Sequence, residues 1–365
     1  MRRRTGARSR LDPPVAPAAE FRPEGTPPDA VVLTFPVPPE LAGLRLDRFL
    51  QQRMTRLTRT RAQHIVRACA FRADGTRRRP SDIVRANEIV YLVRERFREP
   101  PTPQHYDTVY EDDALLVVDK PAGLPMHPTA TYHKHTLSWL LRQRYAESVF
   151  VPRIAHRLDR ETSGLVLCGK TPDAERKLKR AFEQHRIRKS YVAIVRGQLA
   201  SDEGEIALPI APVREGLHVL MEVREPDGLT AVTQYRVLAR TREHSLLALA
   251  PSTGRQHQLR VHLSAIGHAI VGDKLYGPER EAPFLEYIET GLTPELELRL
   301  GLARQALHAF TLAFAHPATG DACALRAELP EDMCALWERC GGEHAKEIVL
   351  EVPPGPTAMA ETPAR

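Results

Sequence analysis

The sequence predicts two folded parts, each combining α-helices with β-strands, joined by a charged, proline-containing linker at about residues 96–108. The first observation is length, because 365 residues exceed the usual size of one domain. The second is charge, since arginines concentrate in one short segment near the N-terminus. The third is the hydrophobic pattern, in which short apolar runs of strand type alternate with runs of helical spacing. We therefore expect a small basic module over residues 31–95 and a larger domain over residues 109–345.

Residues 1–30 combine an arginine cluster with many prolines, alanines and glycines, which predicts a disordered basic arm. The basic module then begins with a strand at Ala30–Pro36, and a second strand is expected at Glu88–Val93. Between them, apolar residues recur at helical spacing twice, once from Leu46 to Met54 and once from Ala62 to Cys69. Two amphipathic helices are predicted, the second capped by one of the threonines at positions 58 and 60.

The basic module carries a local excess of positive charge. Residues 41–94 contain thirteen arginines and four acidic residues, whereas the net charge of the whole chain is only +6. Such a local excess is typical of nucleic-acid-binding modules, although a solvated charged face is the simpler alternative. The arginines that we expect to contact RNA are Arg45, Arg48, Arg59, Arg61 and Arg67.

The larger domain is predicted to alternate strands with helices. A rigid loop rich in proline and glycine, Asp119–Pro128, follows its first buried strand, and Thr171 and Pro172 signal the start of a helix that continues to about His185. The predicted strands lie at Ala114–Val118, Leu165–Lys170, Ser190–Val195, Ala231–Ala239, Ser245–Ala250 and from Leu307, with a further helix at Leu137–Arg144. Residues 278–303 are interpreted as an insertion, and residues 346–365 as a tail that is disordered from 353.

The stretch His156–Gly164 holds the strongest candidate for chemistry. It reads His-Arg-Leu-Asp-Arg-Glu-Thr-Ser-Gly and places Asp159 between Arg157 and Arg160, just before a buried strand. Nearby positive charge favours the ionised form of an acid, so Asp159 is expected to be a carboxylate. An ordinary ion pair on a loop is the alternative interpretation.

A second polar segment, Thr253–His262, places two arginines and two histidines within eight residues after a tight turn. Leu259, His262 and Leu263 fall on one side of a predicted helix, which leaves Arg260 free to point elsewhere. A histidine or arginine on a helix is more often a surface residue, but the density of such residues here favours a functional site.

The composition is that of a soluble globular protein, with 27% charged and 42% hydrophobic residues. No apolar run approaches the roughly 20 residues of a membrane span, and no apolar signal core follows the N-terminal arginines, so a cytoplasmic location is expected. The five cysteines form no Cys-x-x-Cys pair, which favours reduced thiols. Cys334, Cys340 and His344 make only a partial metal set, and neither a metal nor a cofactor is expected.

Five segments together resemble, in order and spacing, the RluA family of pseudouridine synthases: Asp119–Pro128, His156–Gly164, Thr253–His262, Gly272–Gly277 and Leu307–Ala309. The resemblance implies an α+β fold with a mixed, largely antiparallel central sheet in two halves and the active cleft between them. It also implies a cofactor-free isomerisation in which the C1'–N1 bond of a uridine in RNA is broken and a C1'–C5 bond forms. The base must be flipped out of its stack to be reached.

By the same resemblance, Asp159 is the catalytic nucleophile, attacking either the uracil ring or the sugar. Arg260 is its buried ion-pair partner, and Tyr191 stacks against the target base and acts as a hydrogen-bonding or proton-transfer group. Arg157 fills the space that the flipped base vacates. His156 and Arg255, in the two polar segments, are counted with Arg157 among the RNA-binding residues.

The basic module resembles an S4-type RNA-binding domain in Arg45–Leu50, Thr60–Gln63 and Asp74–Gly75. Within the family, this attachment implies structured RNA of the large ribosomal subunit as the partner. Separately, the protein is expected to be a monomer. A tRNA substrate, a non-catalytic RNA-binding assembly factor and a metal-dependent hydrolase are the alternatives, the last weakened because the fifteen histidines lack ligand spacing.

Overall fold

The structure is a computed structural model that describes residues 22–26, 30–54, 57–94, 99–129, 131–214, 217, 219–350 and 352. Most of the predicted N-terminal arm, residues 96–98 of the predicted linker, and the tail from 353 lie outside these residues. The contacts of the chain divide it into two compact units, Met1–Glu99 and Pro100–Arg365. No helix in the described ranges is both long and apolar enough to cross a membrane.

The N-terminal unit packs two helices against a small sheet. Its three strands lie in the order β1, β3, β2 and pair antiparallel. Its elements are β1 (Val31–Pro36), a 3-10 helix (Pro39–Leu41), α1 (Leu46–Arg53), α2 (Arg59–Cys69), β2 (Ala70–Phe71) and β3 (Ile89–Arg94). The apolar faces of both helices are buried, and the side chain of Thr58 caps α2 by accepting a hydrogen bond from the backbone N–H of Arg61 at 3.3 Å. The predicted pair of amphipathic helices is therefore confirmed.

A buried carboxylate ties α1 to α2. Asp47 has no solvent exposure and accepts hydrogen bonds from Arg45 and from Gln63 Nε2, the latter at 3.0 Å. Burial disfavours its ionised form, but these hydrogen bonds outweigh it and lower the pKa of Asp47 to about 2. The carboxylate that the sequence presents as one of four scattered acids is thus a fixed structural anion.

The C-terminal unit is built on a ten-stranded sheet. Its strands are β4 (Asp107–Glu111), β5 (Leu115–Lys120), β6 (Arg153–Ile154), β7 (Ser163–Gly169), β8 (Arg188–Arg196), β9 (Glu203–Ile206), β12 (Thr233–Arg240), β13 (His244–Pro251), β14 (Leu307–Ala315) and β15 (Ala322–Arg326), with β10 (Ile210–Pro212) and β11 (Met221–Val223) forming a separate pair. Its helices are α3 (Leu137–Arg144), α4 (Pro172–Glu183), α5 (Gln258–Ala265), α6 (Ala282–Thr290), α7 (Pro294–Leu300), α8 (Glu331–Arg339) and α9 (Ala345–Val349).

Strand β14 joins the two halves of this sheet. The order is β4-β5-β7-β14-β8-β13-β12-β9, and β14 runs parallel to β7 but antiparallel to β8. Gly164 makes the parallel contact possible, because a Cβ at this position would lie 2.3 Å from the carbonyl oxygen of Ala309. The other strand pairs described are antiparallel, so the expected mixed, largely antiparallel α+β fold is confirmed.

Each half of the sheet has its own apolar core. One core surrounds β8 and β13 and is covered by α5 and α8, while two smaller cores lie on the two faces of β5 and β7. Strands that are buried on both faces have continuous runs of apolar residues in the sequence. For this reason β5, β7, β8 and β13 could be predicted from the sequence. The loops that enter β7 and leave β13 consequently come from different halves of the sheet.

Candidate active site

Asp159 lies on the loop between β6 and β7, where the two halves of the sheet meet. The backbone N–H of Thr162 donates to the carbonyl oxygen of Asp159 at 3.1 Å, which closes a tight turn. Lys120, which is fully buried, stabilises this turn. Its Nζ donates hydrogen bonds to the carbonyl oxygens of Pro121, Leu124 and Arg160. The predicted rigid loop Asp119–Pro128 therefore packs against the turn that carries Asp159 and supports it.

Arg260 lies on α5 and is shared between two carboxylates. Its Nη1 donates to Asp159 Oδ2 at 2.9 Å, while its Nε and Nη2 form a bidentate pair with Asp273 at 2.7 and 2.9 Å. Asp273 also accepts the backbone N–H groups of Leu275 and Tyr276, which folds the Gly272–Gly277 loop around its carboxylate. The side chain of Arg260 is 7% exposed and that of Asp159 is 20% exposed, so only the aspartate opens to solvent.

The balance of charge keeps Asp159 ionised. Burial opposes ionisation, but the interactions with Arg260 and smaller ones with neighbouring groups together outweigh it and lower the pKa of Asp159. His257 contributes little charge at neutral pH, since burial lowers its own pKa to about 4. A desolvated, ionised carboxylate aimed by a fixed arginine is suited to nucleophilic attack.

A second side chain of the same segment, His257, also points towards Asp159. Its Nε2 lies 3.9 Å from Asp159 Oδ2, and its Nδ1 lies 2.7 Å from the hydroxyl oxygen of Tyr276. His257 precedes α5 and has a left-handed backbone with φ of 56°. His257, Asp273 and Tyr276 are not among the site residues predicted from the sequence.

Tyr191 lies on β8 and packs against the apolar cores of both halves of the sheet. Burial, with a smaller effect of the charge on Asp159, raises its pKa well above that of a free tyrosine. At neutral pH its side chain is therefore a neutral phenol. Tyr191 thus lies at the seam, which is the junction of the two halves of the sheet at β7, β14 and β8. This position brings Tyr191 to the same region as Asp159 and Arg260.

The three residues predicted to bind RNA in the polar segments differ in their surroundings. Arg157 and Arg255 are exposed, and Arg255 Nε donates to the carbonyl oxygen of Thr230 at 3.0 Å. His156 instead accepts the backbone N–H of Leu167 at 3.0 Å and stacks on Phe182 with 4.5 Å between ring centroids. Burial lowers the pKa of His156 to about 3, so its ring is neutral at neutral pH, and its contact with RNA stays a prediction.

The residues after Asp159 connect the turn to the segment that the sequence analysis interprets as an insertion. Arg160 lies between two tyrosine rings, with its guanidinium carbon 5.8 Å from the centroid of Tyr132 and 5.6 Å from that of Tyr287 on α6. Lys274 donates to both oxygens of Glu161, at 3.0 and 2.9 Å. Residues 278–303 thus contribute one aromatic side chain to the support of the turn.

In the N-terminal unit, the five predicted RNA-binding arginines fall into two groups. Arg45 and Arg59 approach Asp47 at 3.1 and 3.7 Å, which partly neutralises them. Arg48, Arg61 and Arg67 are exposed, and none of them pairs with an acidic group of the described residues. The residues that the structure describes, in both units, contain no group of three or more histidine, cysteine or acidic side chains arranged to hold a metal ion.

Comparison with solved structures first defines the class of protein. Human RNA pseudouridylate synthase domain containing 4 is 28% identical, with a TM-score of 0.51 over 64% of this chain and 93% of that one. Human RNA pseudouridylate synthase domain containing 1 is 25% identical, with a TM-score of 0.53 over 71% of this chain and 100% of that one. The fold is thus that of an RNA pseudouridylate synthase, an RNA-modifying isomerase.

Sequence comparison then defines the family. The family model described as RNA pseudouridylate synthase matches residues 114–265. The ribosomal large subunit pseudouridine synthase D of Xanthomonas campestris pv. campestris is 37% identical over 322 residues, which cover 86% of this chain and 94% of that protein. The protein of the same name from Pseudomonas aeruginosa is 37% identical over 306 residues, covering 82% of this chain and 92% of its own length. The chain belongs to the RluA family of RNA pseudouridine synthases, as the sequence motifs predicted.

Proposed function

We propose that this enzyme converts one or more uridines of large-subunit ribosomal RNA to pseudouridine, with Asp159 as the nucleophile. The observation that carries the catalytic part of the proposal is the 2.9 Å contact between Asp159 and Arg260, itself fixed by Asp273. The choice of RNA is supported by the relatives named above, whose names specify the large ribosomal subunit.

In the proposed reaction, Asp159 attacks the flipped uridine and the C1'–N1 bond breaks. The uracil turns over, a C1'–C5 bond forms and the carboxylate is released. C5 loses a proton and N1 gains one, so the product has the same composition as the substrate and no co-substrate is consumed. Attack at the sugar and attack at the uracil ring both fit this balance.

Arg260 and Tyr191 have separate roles in this proposal. Arg260 keeps Asp159 ionised and directs one of its oxygens, and the bidentate contact with Asp273 prevents Arg260 from turning away. Tyr191 offers an aromatic face for the uracil ring and, as a neutral phenol, a hydrogen-bond donor. A role in removing the C5 proton requires Tyr191 to give up its own proton in the same step.

Binding of RNA is divided between the two units. Arg157 is exposed on the turn that carries Asp159, and its planar guanidinium is suited to stack in the space of the flipped base. Arg48, Arg61 and Arg67 on the N-terminal unit supply phosphate contacts, which position a protein on RNA without reading its sequence. We propose that this unit is an S4-type RNA-binding domain.

The first test replaces Asp159 by asparagine, which keeps the shape of the side chain but removes its nucleophilic charge. We expect Asp159→Asn to abolish pseudouridine formation in transcribed large-subunit rRNA while RNA binding persists, as mapped by nucleotide position with no metal added. Asp202→Asn is the matched control, since the side chain of Asp202 is 84% exposed.

Two results would contradict the proposal. Product from wild-type enzyme on tRNA but not on rRNA, free or in pre-ribosomal particles, would overturn the choice of substrate. Turnover by Asp159→Asn at the rate of Asp202→Asn would overturn the role of the carboxylate, and Asp159 would then be an ordinary ion-pair residue.

A further inference from the structure

His257 and Arg260 are three residues apart at the start of α5, and both converge on the same oxygen of Asp159. Each is held by a side chain of the Gly272–Gly277 loop, Arg260 by Asp273 and His257 by Tyr276. Arg260 reaches Asp159 Oδ2 at 2.9 Å, whereas His257 Nε2 stops at 3.9 Å, beyond hydrogen-bond distance. His257 is therefore aimed at the reaction centre without being bonded to it.

The hydrogen bonds of Tyr276 indicate which nitrogen of His257 carries the proton. The backbone N–H of Met221 donates to the hydroxyl oxygen of Tyr276 at 2.9 Å, so the hydroxyl hydrogen is free to point elsewhere. The acceptor in reach is His257 Nδ1 at 2.7 Å. A neutral imidazole that accepts at Nδ1 carries its hydrogen on Nε2, and this assignment follows from the network.

The Nε2–H group of His257 is a donor without a partner. The side chain is only 7% exposed, and the described residues give Nε2 no hydrogen bond. His257 Nε2 is not one of the fully buried atoms that lack a hydrogen-bond partner, so its N–H is accessible from solvent beside Asp159, and a non-glycine residue with φ of 56° has a cost in stability. Both features are understandable if the partner of Nε2–H arrives with the substrate.

Negative charge develops on the uracil in either route of the proposed reaction. Attack at the sugar expels the ring as an anion, with charge spread over N1 and the two carbonyl oxygens. Attack at the ring places charge on a carbonyl oxygen. In both cases a preorganised N–H donor beside the nucleophile stabilises the transition state more than the ground state.

We propose that His257 Nε2–H donates a hydrogen bond to a carbonyl oxygen of the flipped uracil as the C1'–N1 bond breaks, and that Tyr276 is the positioning residue that fixes its tautomer. The inference rests on the proposed role of Asp159. A neutral donor suits this place, because a cationic histidine would pair with Asp159 and weaken its nucleophilicity. The pKa of His257, lowered by burial to about 4, keeps the ring neutral at neutral pH.

The test compares three variants in single-turnover reactions at saturating RNA. His257→Asn removes the donor from its position, and asparagine tolerates the left-handed backbone better than most residues. Tyr276→Phe removes only the hydroxyl that orients the ring. His344→Asn is the matched control, because His344 has φ of 53° and its side chain is 71% exposed.

We expect His257→Asn to lower the rate of the chemical step about 100-fold, the effect of losing one oxyanion donor, with unchanged RNA affinity. Tyr276→Phe should lower the rate less and should cause no further loss in the His257→Asn background. His344→Asn should react as wild type. A rate for His257→Asn within about threefold of wild type, or fully additive losses in the double variant, would overturn the inference.

A second measurement is independent of turnover. Nitrogen-15 NMR of the free enzyme, with His257 assigned from the His257→Asn spectrum, should show the Nε2–H tautomer in wild type and a shift towards a mixture in Tyr276→Phe. Observation of the Nδ1–H tautomer in wild type would overturn the inference. Because this spectrum needs no substrate, it separates failure of the His257 assignment from failure of the proposed rRNA activity.

Discussion

The chemistry of Asp159 depends on two opposing effects at a single residue. Burial raises the pKa of a carboxyl group, and the nearby guanidinium of Arg260, together with smaller neighbouring contributions, lowers it more. An aspartate with a depressed pKa contributes to stability above its unfolded pKa, and this contribution is lost as the pH falls through the folded value. The activity that requires the anion should decline in the same range, below that of an ordinary aspartate.

The first residue-scale prediction concerns this acid limb. In Arg260→Gln/Asp273→Asn, both partners of the buried ion pair lose their charge together, which avoids leaving one of them unpaired. Burial of Asp159 has then lost its strongest opposing charge, so the acid limb of the single-turnover rate should move to higher pH. The rate at about pH 7 should fall roughly 100-fold or more, since a directed charge at the reacting group is removed.

The control is Arg304→Gln/Asp332→Asn, which neutralises a second bidentate pair with both contacts at 2.7 Å. This variant should lose stability without moving the acid limb. If the acid limb moved equally in both double variants, the shift would reflect general loosening of the fold, and Arg260 would not be the cause of the lowered pKa of Asp159.

Two residues of this site, Asp159 and Arg260, could be predicted from the sequence. The nonapeptide around Asp159 and the dense basic segment around Arg260 were recognisable because several polar residues cluster just outside apolar runs. His257 and Tyr276 were passed over since their importance comes from one hydrogen bond between segments 19 residues apart. The i and i+3 relation of His257 and Arg260 was the available signal.

At the scale of elements, the parallel contact between β7 and β14 sets the position of the catalytic turn. Gly164 follows the turn directly, has φ of 113° and lies against the backbone of Ala309. Gly164→Ala should therefore lower the free energy of unfolding by roughly 3 kcal/mol or more, because both the left-handed backbone and the close approach are violated. Urea denaturation followed by circular dichroism measures this change.

Gly320→Ala provides the comparison for Gly164→Ala. Gly320 has φ of 83°, but a Cβ there would meet nothing within 4 Å. Gly320→Ala should lower the free energy of unfolding by about 1 kcal/mol, which is the contribution of the strained backbone alone. Equal losses of stability in the two variants would mean that β7 and β14 separate easily. The close contact at Gly164 would then not be needed to hold the two strands together.

Prediction of elements from the sequence succeeded where apolar runs were long or helix caps were clear. Helix α3 was predicted with the bounds observed, and α4 within two residues of its end, because Thr171 and Pro172 mark its start. The short strands β9, β10, β11 and β15 were not predicted. They contain three to five residues, most of them exposed or half-buried, so pairing with neighbours distant in sequence determines them more than local pattern does.

At the scale of the whole molecule, the chain combines a basic unit with a catalytic unit that carries its own site. The excess of thirteen arginines over four acids in residues 41–94 is moderated by Asp47, which neutralises part of the charge of Arg45 and Arg59. The sequence shows the excess but not this pairing, because the pairing depends on how α1 packs on α2. The exposed cations that remain are the ones expected to release counterions from RNA.

This expectation gives a prediction for the full-length chain. Replacing Arg48, Arg61 and Arg67 by glutamine removes three exposed cations that pair with no acidic group of the described residues. RNA affinity should fall, and the slope of log affinity against log salt should decrease by about one for each phosphate that is no longer neutralised, or about three in total. The rate of the chemical step at saturating RNA should stay unchanged, since these residues belong to the unit that lacks the site.

The matched control replaces Arg176 and Lys179 on α4, which are exposed but paired with Asp173 and Glu175 at 2.5 and 2.6 Å. Cations already paired release few counterions, so this variant should keep the wild-type slope in filter-binding titrations between about 50 and 200 mM salt. A wild-type slope in the triple arginine variant would place the phosphate contacts elsewhere. An altered chemical rate at saturating RNA would instead mean that the basic unit takes part in assembling the active complex as well as in anchoring RNA.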